Sequence, residues 1–232
     1  MKIHGYSQLT LLDYPGHIAC TVFCGHCNFR CPFCHNASLV LHADEQPVIS
    51  EEKIFSHLSK RRGMLEGVAI TGGEPTLHKD LPDFIRRIKE ETGLAVKLDT
   101  NGTNPEMLSG LIKDRLIDFA AMDIKTSPGR YALAAGLKEL DMDSIFRSVD
   151  ILMGSEIEYE FRTTVVDEIH HDEDFHAIGE WIKGARAYYL QCYKDSGDLI
   201  APDGLHAPSK EKLEHLREIM LPFVPNTQIR GI

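Results

Sequence analysis

The chain predicts an α/β fold built on a parallel sheet, and three observations carry that prediction. Short runs rich in apolar and β-branched residues recur at 18–23, 68–71, 95–100, 119–125, 158–165 and 187–193. Stretches with helical start and stop signals lie between them. Several runs end in the polar or glycine-rich motifs GGEP, LDTNG and MDIK, at the strand ends where active sites collect in barrel-like α/β folds. Six strand–helix units imply right-handed crossovers. They can curl into an open, partial barrel or lie flat as a doubly wound sheet, and periodicity alone does not choose.

Residues 3–12 predict a small β element, closed by the Asp13-Tyr14-Pro15-Gly16 turn. The run 18–23 fits a buried first strand, followed directly by a cysteine-rich loop. Ser50 is placed to N-cap the first clear helix, Glu51 and Glu52 suit its positive end, and Arg61 to Gly63 close it. Strand 68–71 ends in Gly72-Gly73-Glu74-Pro75. Pro82 and Gly93 bracket the next helix, and Pro105 opens another after strand 95–100. Later helices are expected around 144–153, 172–183 and 209–221, before a final QIRGI segment.

No repeat, low-complexity segment or long linker interrupts the chain, so residues 1–232 read as a single domain. Hydrophobic residues make up 43% of it, an ordinary globular value. No apolar run approaches the roughly 20 residues that cross a bilayer. The start lacks the basic and apolar blocks of a signal peptide, which points to the cytoplasm. Twenty-five basic against 35 acidic residues give a net charge of −10. No basic block offsets it, so nucleic acid is not an expected partner.

Five of six cysteines fall within CTVFCGHCNFRCPFCHN, residues 20–36, and Cys27, Cys31 and Cys34 stand as C-x3-C-x2-C. In a reducing compartment such clustering argues for metal rather than disulfides. A short loop at this spacing can wrap one side of an iron–sulfur cube, whose four irons usually take four thiolates. Three ligands leave one iron open, and an open metal position marks chemistry rather than scaffolding. A zinc site using Cys24, Cys27, Cys31 and Cys34 fits poorly. Zinc modules separate their pairs by about 12–20 residues, and here three intervene. A four-thiolate electron-transfer cluster completed by Cys24 stays open. Cys20 and Cys192 read as small buried strand residues.

CNFRCPFCHN resembles the cluster loop of radical S-adenosylmethionine (SAM) enzymes, and GGEPT at 72–76 resembles their methionine-binding strand end. The wider stretch LLDYPGHIACTVFCGHCNFRCPFCHN is similar to activating enzymes of glycyl-radical proteins, above all those of anaerobic ribonucleoside-triphosphate reductase. The resemblance implies a partial (βα)6 TIM-like barrel. It implies a [4Fe-4S] cluster held by Cys27, Cys31 and Cys34 only, SAM on the open iron, and a 5′-deoxyadenosyl radical that takes hydrogen from a partner's glycine. A flavodoxin or ferredoxin is the implied reductant. A radical SAM enzyme acting on a small molecule remains an alternative within the same chemistry.

The resemblance also implies that Phe33 helps hold the adenine and makes Asn36 a further contact. Gly72 and Gly73, lacking Cβ atoms, would let backbone approach the methionyl part, with Glu74 accepting from its ammonium. Alone, this tetrapeptide is merely a good turn. LDTNG and MDIK resemble segments of pyruvate formate-lyase activating enzymes. Asp99, Thr100 and Asp123 would there meet a bound monovalent cation, with Lys125 nearer SAM and Arg162 a further contact. The plainer alternative is a polar strand end with an ion pair. Lys194 stands near where those activases carry a histidine and is given no role. His170, His171 and His176 beside Asp172 to Asp174 lack an H-E-x-x-H spacing and are expected to form a solvated acidic helix start.

Overall fold

The computed structural model describes residues 1–232. Its strands are β1 (Ile3–Thr10), β2 (Ala19–Cys24), β3 (Gly67–Gly72), β4 (Ala95–Thr100), β5 (Phe119–Asp123), β6 (Glu158–Val165), β7 (Tyr188–Cys192) and β8 (Thr227–Arg230). All eight form one sheet in the order of the sequence. β1 runs antiparallel to β2, and every later pair is parallel. A doubly wound sheet reverses its order partway. This sheet never does, so its crossovers carry the chain one way round an open partial barrel. β1 and β8 form its two edges, and β1 takes a single antiparallel bridge from Ile49 to Ile3 on its outer side.

The helices are α1 (Ala37–Leu41), α2 (Glu51–Lys60), α3 (Leu81–Thr92), α4 (Pro105–Lys113), α5 (Tyr131–Ala134), α6 (Met142–Met153), α7 (Asp172–Trp181) and α8 (Lys210–Met220). Strand side chains alternate between faces. One set, including Val68, Ile70, Val96, Leu98, Met122, Phe161 and Leu190, is fully buried. It forms one core with Ile54, Ile85, Leu111, Val149, Ile178 and Leu213 from the helices. Each such aliphatic contributes about 1.5–3 kcal/mol by leaving water. The alternate set includes Lys97, Asp99, Asp123, Glu160 and Arg162, and it lines the barrel interior.

The caps form as the sequence indicates. Ser50 accepts from the Lys53 amide, and Gly93 ends α3 in the left-handed region at φ 71°. Other details differ. The turn after β1 closes one residue later, with His17 N donating to the Tyr14 carbonyl at 3.1 Å and Gly16 at φ 76°. The QIRGI segment contributes β8, a seventh parallel strand too short to show a period by itself. The helix start at 172 is not simply solvated. His170 and Asp174 are buried, and Asp174 accepts from Ser127, from Arg130 at 2.5 Å and from the His171 amide. This brace fixes the segment after β5, a role that appears only once α7 is folded against it.

Candidate functional site

A cavity of about 390 Å³ opens at the C-terminal ends of the parallel strands. The three C-x3-C-x2-C cysteines, Phe33, Asn36, Gly72, Gly73, Glu74, Asp99, Thr100, Asp123, Lys125 and Arg162 all line it. Residues far apart in the sequence are thus gathered around one space.

The cysteine loop is held on three sides. Along β3, Gly73 N donates to the Cys24 carbonyl and Glu74 N to that of His26, each at 2.8 Å. Across the loop, Arg30 N donates to Ala135 O at 2.8 Å, and Ala201 N to Pro32 O at 3.0 Å. A Cβ on Gly72 would lie 2.3 Å from the Cys24 oxygen, and one on Gly73 1.9 Å from that of His26. The glycines are therefore required first by the chain's own backbone. Asn36 donates to the Gly72 carbonyl at 2.9 Å, so it too secures the loop.

Cys27 and Cys34 are half-buried and Cys31 buried. The Phe29 amide and, more distantly, the Asn101 side chain donate to the Cys27 sulfur at 3.4 and 3.8 Å. Burial pushes the Cys27 thiol up to about 11 and Cys31 to about 12. Such thiols ionise readily only against a positive centre. With Cys34, they put three thiol donors on one short, braced loop, the donor set that an iron–sulfur cluster with one open iron takes. Cys24 does not line the cavity. Its thiol is buried in β2 and donates to the Thr71 carbonyl at 3.2 Å.

Glu74 is almost fully buried, and one of its oxygens accepts from the Thr76 amide, the Thr76 hydroxyl and the Thr100 hydroxyl at 2.6–3.1 Å. The other accepts from the Asn101 amide at 2.6 Å. Burial pushes its carboxyl up, against four bonds that favour ionisation. Glu74 thereby joins the ends of β3 and β4. Only its singly bonded oxygen has ready capacity for a ligand. Phe33 packs edge-on against His170, whose ring bonds the Lys125 carbonyl at 2.8 Å.

A ladder of charges crosses β4, β5 and β6. Lys97 pairs with Asp99, and Arg162 reaches Asp99 at 3.4 Å and Asp123 at 2.9–3.0 Å. Lys125 meets the other Asp123 oxygen at 2.9 Å. Burial opposes ionisation of both carboxyls. For Asp99 the charges of Arg162 and Lys97 outweigh it, and for Asp123 those of Arg162 and Lys125, so both stay below the usual range. Burial likewise opposes the Lys125 charge, and Asp123 more than restores it. The Thr100 hydroxyl turns to Glu74 and away from this ladder.

Lys97, Asn101, Thr164, Gln191 and Asp13 did not stand out in the sequence. Asn101 and Gln191 line the cavity within motifs already visible, LDTNG and LQCYKDSG. Lys97 was findable from its two-residue spacing to Asp99. Asp13 reaches the cavity and accepts from Thr21 at 2.5 Å. Lys194 is exposed and lies outside the cavity.

Comparison with known proteins adds independent findings. The sequence profile of the radical SAM superfamily matches residues 21–182. A protein of Methanocaldococcus jannaschii, provisionally named a glycyl-radical enzyme activating enzyme, is 32% identical over 99% of this chain and 96% of its own. Among solved structures, a domain of a pyruvate-formate lyase-activating enzyme from Bacteroides vulgatus superposes with a TM-score of 0.56 at 20% identity. It covers 71% of this chain and 99% of that one. QueE from Escherichia coli gives 0.56 at 16%, over 98% and 92%. At these identities the two structures speak for the fold alone.

Proposed function

The chain belongs to the radical SAM superfamily and, within it, to the glycyl-radical enzyme activating enzymes; on that premise we propose that it installs a glycyl radical on anaerobic ribonucleoside-triphosphate reductase. One observation supports the chemistry above others. Of six cysteines, only Cys27, Cys31 and Cys34 line the cavity that the strand-end charges also face.

These three would hold a [4Fe-4S] cluster. When bound, cluster and SAM supply one-electron cleavage of the sulfonium, and hence the radical that removes hydrogen from a glycine Cα. The chain's own residues bind, orient and exclude water. Phe33 would flank the adenine. The Gly72–Glu74 edge would take the methionyl ammonium, its free capacity lying on backbone and one Glu74 oxygen. Three cations against two carboxylates leave the ladder with one positive charge, which suits the methionyl carboxylate at Lys125 and Arg162. A monovalent cation at Asp99, Thr100 and Asp123 is not part of this reading, because fixed cations already bond both carboxylates. Flavodoxin or ferredoxin is the reductant and the cytoplasm the compartment.

Electron paramagnetic resonance of the anaerobically reconstituted, reduced protein tests the reading. A cubane signal that changes on adding SAM is expected, followed by a glycyl-radical signal once the reductase is added. A cluster indifferent to SAM would overturn the enzyme reading. SAM cleavage without a radical on the reductase would overturn the partner.

A further inference from the structure

Lys97 lies on β4, two residues before Asp99 and on the same inward face. It is 1% exposed, and its ammonium bonds Asp99 Oδ1. It does not line the cavity and sits behind the residues that do. An ammonium this deep requires a compensating anion, and Asp99 is the carboxylate it meets. The same contact, seen from the carboxylates, completes a set. Arg162 takes Asp99 Oδ2 and Asp123 Oδ1, and Lys125 takes Asp123 Oδ2. All four oxygens thus face cations tethered to the chain.

A buried pair of carboxylates on adjacent strands repels itself and would recruit a small cation from solution if nothing else compensated it. Here three covalently attached cations already serve two carboxylates, and a fourth would meet a net positive site. We propose that Lys97 is a built-in replacement for a dissociable monovalent cation, making the Asp99–Asp123 site complete without potassium or sodium. Its bearing on SAM binding rests on the function proposed above, but the charge arrangement does not. Lys97 is thereby a positioning residue. It fixes Asp99, which holds Arg162 at the cavity wall.

Thermal unfolding of the full chain provides the test, in potassium, sodium, ammonium and tetramethylammonium chloride at equal ionic strength. The wild-type protein should melt within about 1 °C in all four. Lys97→Met should melt lower in tetramethylammonium. It should regain roughly 3–5 °C in one of the small cations present at about ten times its dissociation constant. Lys97→Gln, which keeps a donor but no charge, should respond in the same direction, and the double variant K97M/D99N should not. A cation-selective rise in the wild-type protein would overturn the proposal, as would single variants that melt alike in every salt. If neither single variant folds, the wild-type comparison decides alone. The melts need neither cluster nor SAM, so they stay readable whatever the paramagnetic resonance experiment shows.

Discussion

Cys24 and Cys27 are three residues apart, yet only Cys27 faces the cavity. Cys24→Ser should therefore leave iron and sulfide content unchanged on reconstitution, whereas Cys31→Ser should lose the cluster. Loss in both would restore the four-thiolate electron carrier. The charge ladder permits a second prediction. Asp99 and Asp123 have native pKa values below their ordinary value of about 3.9. Their stabilisation is present above that value and is lost as pH falls through the native ones. Arg162→Met should cost about 1–3 kcal/mol, since Asp99 keeps Lys97 and Asp123 keeps Lys125 but each loses a charged hydrogen-bond donor. It should also flatten the acid limb of stability below about pH 4, read by denaturant titration across pH. An acid limb as steep as that of the wild-type protein would show that Arg162 does not hold these carboxyls down.

At the scale of elements, the junction between β3 and the cysteine loop matters most. Gly73 has backbone against it, with the His26 oxygen 1.9 Å from where a Cβ would stand. Gly93, at the end of α3, has φ 71° but nothing within 4 Å. Gly93→Ala should cost about 1–2 kcal/mol from backbone strain alone and leave cluster loading intact. Gly73→Ala must displace the loop itself. It should cost about 1–3 kcal/mol by overpacking and lower iron content as well. Equal loading in the two variants would show that the loop tolerates displacement. The GGEP sequence was legible as a strand-end turn. That its glycines serve a second backbone was not, because His26 is 47 residues away and carries no local signal at Gly73.

For the whole molecule, the sheet order explains how the site is assembled. Each parallel strand lies beside its sequence neighbour, so successive strand ends present successive motifs to one cavity: the cysteine loop after β2, Gly-Gly-Glu after β3, Asp99 on β4, Asp123 and Lys125 at β5, and Arg162 on β6. The sequence by itself determined the elements, the cysteine spacing and the polar strand ends, because helix and strand periods, caps and short motifs depend on residues a few positions apart. Only the tertiary structure decided that the sheet winds one way, that Cys24 turns from the cavity, and that His170 and Asp174 are braces. It alone built the Lys97–Asp99–Arg162–Asp123–Lys125 ladder. Arg162 stands 63 residues from Asp99 and 39 from Asp123, and no local period records which distant strands become neighbours. Cross-strand contact and burial fix those partners, and both exist only in the folded chain.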